Sequence, residues 1–240
     1  MRKNLSYSVV NIHKAMLFQT LPFFGVLWIK EPVKPRIMTT WDVSVVLTFV
    51  FTLYPLSELS LQQLTYKLIA LIALTTAARA QTISALDINY MSKFFDKYVF
   101  QIQQLLKTSR PGVSLPKVVL YKFDKRELCV FHTLNEYIDR TQNLRKSNKS
   151  FVSFKTLKAV TSCTLAKWLK QVFFLSGIDI SKFSARSFRG ASTSKALGAG
   201  VSLKDILETA NWASAKTFYK FYFEDVVHVE NNFADKILNC

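Results

Sequence analysis

The sequence predicts an α+β, mostly α-helical protein with a small antiparallel β-hairpin or sheet at one edge. Half of the 240 residues are hydrophobic while glycine and proline number only 6 each, a balance that suits packed helices better than a disordered or loop-rich chain. Several apolar stretches run longer than ordinary strands, and only one neighbouring pair of segments alternates as a hairpin does.

Lys30-Glu-Pro-Val-Lys-Pro-Arg36 is the clearest linker, because its two prolines break regular structure among several charges. The preceding segment is too short to build a core and reads as the end of a missing or truncated domain. Residues 37–240 are then the main domain, with 223–240 as a C-terminal tail.

Within that domain, Trp41–Tyr54 and Leu61–Ala78 are densely apolar and predict two buried helices, with Arg79 where the second continues or turns. Tyr98–Leu106 and Lys117–Phe123 predict a hairpin around the turn residues Ser109-Arg-Pro-Gly112, with Lys107 close to its tip. A helix from Leu128 to Leu144, a short strand at Phe151–Phe154, and a helix from Thr164 to Leu175 closed by Gly177 follow. The last third reads as wholly helical. After the Gly198-Ala-Gly200 turn, Ser202 and Asp205 have the spacing of a capping box that starts a short helix through Leu207.

Charge supplies the first functional expectation. Lys and Arg total 32 against 16 Asp and Glu, a net charge of +16, and such an excess favours a polyanionic partner. Between Arg140 and Lys170 there are eight basic residues and no acidic one. Taken alone that run would be a solvated face; with the overall charge it points to binding. Cys129, Cys163 and Cys240 form no CxxC pair, so neither a disulfide framework nor a zinc site is expected. The apolar stretches near the N-terminus are interrupted by polar residues, proline and glycine, which argues against a membrane span or a signal peptide. The chain is expected inside the cell.

Four motifs in order then stand out: Leu74-Thr-Thr-Ala-Ala-Arg79-Ala-Gln-Thr82, Ser109-Arg-Pro-Gly112, Arg186-Ser-Phe-Arg189, and Trp212-Ala-Ser-Ala-Lys-Thr-Phe-Tyr-Lys-Phe-Tyr222. Together they resemble the catalytic domain of the tyrosine recombinases of phage-integrase type. The wording is closest to the recombinase-like proteins of animal mobile elements. The resemblance covers nearly the whole chain beyond the linker and implies the recombinase catalytic-domain fold. It also makes residues 1–36 the remnant of an N-terminal core-binding domain, one half of a DNA clamp, plus the linker.

By resemblance, Arg79 and Arg189 are the two arginines that hold the scissile phosphate, where a guanidinium can grip two oxygens through a fixed fork. Two departures accompany them. Ala77 stands where a glycine often precedes the first arginine, and Arg186 stands where histidine is usual. Three residues apart on a helix, Arg186 and Arg189 share a face. Histidine exchanges a proton near neutral pH and arginine does not, so Arg186 can stabilise charge, or contact DNA backbone or solvent, but cannot act as acid or base. Trp212 fills a position held by His or Trp, where its ring N–H can donate to a phosphate oxygen; a core role would suit it equally.

Tyr222, ten residues beyond Trp212, is the nucleophile the resemblance implies, with Tyr219 its competitor. Lys107 is the implied general acid for the leaving 5′-oxygen, with Lys117 and Arg110 as rivals. The expected activity is DNA cleavage and rejoining through a 3′-phosphotyrosyl bond, for recombination or integration. The alternative is a catalytically inactive DNA-binding protein derived from a mobile element. Expected partners are double-stranded DNA and further copies of the chain, as a tetramer; no cofactor, metal, membrane or small-molecule substrate is expected, and the nucleus is the expected compartment. The tail, with Val226, Val227, Phe233, Ile237 and Leu238 among its acidic residues, could dock on a neighbouring subunit or pack on its own domain.

Overall fold

A computed structural model describes residues 40–105, 116–212 and 214–221. The first helix, α1 (Val43–Thr52), starts where the Asp42 carboxylate accepts from the Ser44 backbone N–H at 2.9 Å. The sequence predicts it from Trp41 to Tyr54. It stops earlier because Pro55 disfavours helical backbone in the residue before it.

Helix α2 (Leu61–Thr76) opens with a reciprocal capping box: the Gln63 N–H donates to Ser60 Oγ at 3.2 Å and the Ser60 N–H to Gln63 Oε1 at 2.9 Å. Leu64, Leu68, Ile69, Leu71 and Ile72 are all buried, so this helix runs through the core rather than along its surface. It ends two residues before the predicted Ala78, because Ala77 takes a left-handed conformation at φ 49°. A short helix α3 (Ala80–Ala85) follows.

The predicted hairpin is part of a three-stranded antiparallel sheet in the order β1 (Met91–Lys93), β2 (Lys97–Gln101), β3 (Lys117–Tyr121). Tyr98, Phe100, Val118 and Leu120 face the core while Gln101, Lys117 and Tyr121 are exposed, the alternation that a half-buried sheet requires. Strand β1 was not expected; at three residues it is too short to show alternation. The turn motif Ser109-Arg-Pro-Gly112 and Lys107 lie outside the described residues.

Helix α4 (Val130–Thr141) places Val130, Phe131, Thr133, Leu134, Tyr137 and Thr141 on one buried face. The strand expected at Phe151–Phe154 does not form. Only an isolated bridge joins Val152 to Ala159, and the Tyr137 hydroxyl takes the place of a partner strand, accepting from the Val152 N–H at 3.1 Å and donating to the Val152 carbonyl at 3.3 Å.

Helix α5 (Ser162–Leu175) is capped by Thr161 and closed by left-handed Gly177, where the Ile178 N–H reaches the Phe173 carbonyl at 2.9 Å. Helix α6 (Ser187–Gly198) ends in the same manner at Gly200, and α7 (Leu203–Thr209) begins at Ser202, whose hydroxyl accepts from the Asp205 N–H at 3.1 Å, as its spacing predicts. Helix α8 (Ala215–Phe221) completes the described chain. Among the described residues no helix is long and apolar enough to cross a membrane.

Among the described residues the buried side chains form two apolar clusters. The larger gathers α1, α2, α4, α5, the sheet and the start of α6, with the rings of Trp41, Phe173 and Phe188 meeting at centroid distances of 4.4–5.2 Å. The smaller holds Ala77, Ile206, Ala210, Trp212 and Phe218.

A buried cation helps tie the larger cluster together. Lys67, fully buried on α2, donates from Nζ to the carbonyls of Val50 at 2.9 Å, Leu53 at 2.7 Å and Glu127 at 2.6 Å. The ammonium thus joins the end of α1 to the turn before α4. Burial lowers its pKa to about 8, with Glu127 opposing the shift. Replacing it by Met would leave those carbonyls without their donor, so Lys67→Met should lower stability by about 2–4 kcal/mol in urea unfolding. Between about 8 and 10.5 the unfolded chain holds this proton and the folded chain releases it. The Lys67 contribution to stability should therefore rise with pH across that window, and the rise should vanish in the variant.

Candidate functional site: a cationic cleft at the turn after α2

The left-handed turn at Ala77 is the first element of the site. By reversing the chain at the end of α2, it makes Arg79 the N-cap residue of α3 and leaves its side chain half-buried. A residue with φ near 49° bears a steric penalty that glycine escapes, so the position where glycine was the expected residue is one where the backbone needs a left-handed turn.

The second element is the start of α6. Arg186 is the N-cap residue and Arg189 lies in the first turn, both towards the same cleft. Their exposures differ: Arg186 is exposed, Arg189 only 4% so. The Arg189 guanidinium donates from Nη1 to the Ala77 carbonyl at 3.0 Å and from Nη2 to the Ala210 carbonyl, and it stacks 4.4 Å over the Trp212 ring. One side chain thereby joins the end of α2, the end of α7 and the entry to α8.

Trp212 is held from both sides. Asn211 takes a left-handed conformation at φ 51°, which asparagine tolerates, and the Trp212 N–H then closes α7 on the Leu207 carbonyl at 2.8 Å. Phe218 of α8 packs against the indole at 5.4 Å. Trp212 is buried in the smaller apolar cluster, as its core role requires, and its ring is the platform under Arg189.

A cleft of about 860 Å³ opens between the start of α3, one face of α5 and residues 184–189. Arg79, Lys167, Lys170, Arg186 and Arg189 line it, and none of its described lining residues is acidic. Such walls raise the local concentration of an anion and hold a phosphate through charge-assisted bonds. Exposure of these cations increases from buried Arg189 through half-buried Arg79 to Arg186, Lys167 and Lys170.

Three of the sequence-predicted site residues, Arg79, Arg186 and Arg189, thus line one cleft, and Trp212 touches the innermost of them. Lys107, Tyr222 and Arg110 lie outside the described residues, as does the tail. Of the rivals, Lys117 is exposed on β3 and is not part of the cleft lining; Tyr219 on α8 is exposed, its ring 5.2 Å from Phe218. Sequence reasoning missed Gln81, Cys163, Lys167 and Lys170 as lining residues. Both lysines belonged to the basic run that was noted, and Cys163, Lys167 and Lys170 have the spacing of one helical face; nothing in the sequence said which face meets the arginines.

Because Arg189 holds two carbonyls and a ring, Arg189→Lys should destabilise the fold by about 1–3 kcal/mol. Arg79→Lys, at a half-exposed cleft position, should stay within about 0.5 kcal/mol of the wild type. Paired thermal and urea denaturation checks both.

The chain matches no protein-family model and no curated protein. Its fold does match solved structures. The XerH site-specific recombinase bound to palindromic difH substrate, in a post-cleavage complex, aligns at 14% identity and a TM-score of 0.61 over 88% of this chain and 55% of the recombinase. The XerA recombinase aligns at 14% and 0.57 over 94% and 72%, and a lambda integrase tetramer bound to a Holliday junction at 13% and 0.55 over 88% and 57%. The chain spans little more than half the length of the first and last of these. Identity this low speaks to architecture, and the architecture is plain: a mostly helical domain with a small three-stranded antiparallel sheet, the tyrosine recombinase catalytic-domain fold.

Proposed function

We propose that this chain cleaves and rejoins double-stranded DNA. The observation that carries the reading is the meeting of Arg79, Arg186 and Arg189, from segments more than a hundred residues apart in sequence, on one cleft whose described lining has no carboxylate. Wording shared with recombinase-like proteins of animal mobile elements supports a role in recombination or integration, in the nucleus, with further copies of the chain assembled as a tetramer on DNA.

In this mechanism Arg79 and Arg186 take the non-bridging oxygens of the scissile phosphate, where charge grows as the phosphorus becomes pentacoordinate. Arg189 and Trp212, expected from the resemblance to touch the phosphate themselves, act in this proposal from beneath, because both are buried: the Arg189 guanidinium adds positive potential, and its bonds to Ala77 and Ala210 fix the turn that carries Arg79. Tyr222 follows α8 directly in sequence. Its phenol oxygen bonds to phosphorus, the bond to the 5′-oxygen breaks, and the phenol proton passes to water. Lys107 donates a proton to the departing oxygen. A 5′-hydroxyl from a second duplex reverses the step and joins the strands. Residues 1–36 would belong, with the linker, to the domain that closes the clamp on DNA.

A second reading, a DNA-binding protein without strand cleavage, is favoured by one specific feature: Arg186, which cannot shuttle protons, occupies the position where histidine is usual. A duplex nicked near the scissile phosphate separates the two. Wild type should accumulate covalent protein–DNA and Tyr222→Phe should not, with equal duplex binding by gel shift; binding without any adduct supports the second reading. Arg79→Ala should slow adduct formation by about 100-fold or more. Arg186→His should give the trapping rate a titration near pH 6–7 that the wild-type residue does not supply; an unchanged profile would remove Arg186 from the reacting phosphate.

A further inference from the structure

The turn between β1 and β2 carries a surface that the cleft does not use. Phe94 and Phe95 are 50% and 91% exposed, and Tyr121 and Phe123 on the neighbouring strand and its exit are 60% and 51% exposed. Several large aromatics exposed around one turn are unusual on a protein surface and single it out as a candidate binding surface. The backbone holds them in place: the Phe94 N–H donates to the Lys97 carbonyl at 2.8 Å, and the Lys122 N–H donates to the Asp96 carbonyl at 2.7 Å, pinning the turn to the end of β3.

Lysines are interleaved with the rings. Lys97 and Tyr121 are cross-strand partners, and Lys97 Nζ lies 5.8 Å from the ring centres of both Phe94 and Tyr121. Lys122 Nζ lies 5.2 Å from the ring of Phe95. Across residues 91–97 and 116–126 there are six basic residues and two acidic ones. The His132 imidazole just behind is held below its usual pKa, by burial first and then by Arg126 and Lys122, which agrees with a positive field here.

We propose that this surface binds a DNA strand whose bases are unpaired, with Phe94 and Phe95 stacking on base faces while Lys97 and Lys122 take the adjoining phosphates. A phenyl ring has no hydrogen-bonding group with which to read a base edge, so its gain on DNA comes from a base face, and a paired duplex keeps those faces stacked inside. The ammonium groups beside the rings supply what the same strand needs at its backbone. A protein partner would have to offer carboxylates and ring pockets in matching alternation, whereas a single strand presents phosphate and flat base at every nucleotide. The proposal rests on the DNA reading above and deepens it: strands opened during exchange would have a place on the sheet, away from the cleft.

Fluorescence anisotropy with the full chain tests it, using a short oligothymidine and an abasic oligomer of equal length and charge. The wild type should bind oligothymidine about tenfold more tightly or better. Phe94→Ala/Phe95→Ala should bind both oligomers equally while keeping wild-type affinity for a fully paired duplex and wild-type adduct formation on the nicked duplex. Phe95→Ser alone, at the most exposed ring, gives the same reading should the double variant fold poorly, and Phe95→Trp should retain the preference. Equal wild-type affinity for the two oligomers, or an undiminished preference in both Phe-to-small variants, overturns the proposal and leaves the surface to a protein partner. Loss of paired-duplex binding in the wild type would instead strike at the DNA reading itself.

Discussion

A single buried guanidinium organises the site. Arg189 is almost fully shielded from water, and two backbone carbonyls and an indole face help to hold its charge there. Those carbonyls belong to Ala77 and Ala210, the residues that cap the C-terminal ends of α2 and α7. Helix C-termini carry partial negative charge, so a cation placed between two of them is favoured electrostatically as well as by geometry. The turn that aims Arg79, the start of α6 that carries Arg186, and the entry to the helix before Tyr222 all depend on this one side chain.

That arrangement grades the cleft. The innermost cation is fixed by the protein, and the outer ones are more exposed and available to an incoming anion. A rigid inner charge adds potential without needing to reorganise when a ligand arrives, which is the economical way to stabilise charge that develops during a reaction. The outer lysines of α5 have long, mobile stems and suit capture of a polyanion over a wider area. The aromatic and lysine surface at the turn between β1 and β2 combines cations with exposed rings, and under the proposal above it would take a different part of a nucleic acid from the cleft.

Much of the fold was legible because local signals agreed with the packing. The Ser202 cap, the Gly177 and Gly200 stops, and the apolar density of α2 each name an element by a physical requirement visible in the residue itself. Two of the errors fall where tertiary partners enter. Phe151–Phe154 has strand-forming residues, but the Tyr137 hydroxyl satisfies the backbone that a strand neighbour would have paired. Alanine is the best of helix formers, so at Ala77 only the glycine usual there in the resembled family hinted at a left-handed turn; the carbonyl so placed accepts from Arg189, which is over a hundred residues away in sequence. The site arginines were recognisable only through their resemblance to a family. Their convergence, and the inclusion of Lys167 and Lys170 beside them, are properties of helix packing that no local pattern encodes.

The central claim is that one phosphate can be held by arginines from both ends of the domain. A crystal structure of the protein on a nicked duplex, with the scissile phosphate retained, tests this most directly. The account predicts that phosphate inside the cleft, with its non-bridging oxygens within about 3 Å of the Arg79 and Arg186 guanidinium groups and the Tyr222 oxygen in line with the leaving group. A phosphate seated elsewhere on the domain, with the cleft left to solvent, would contradict it.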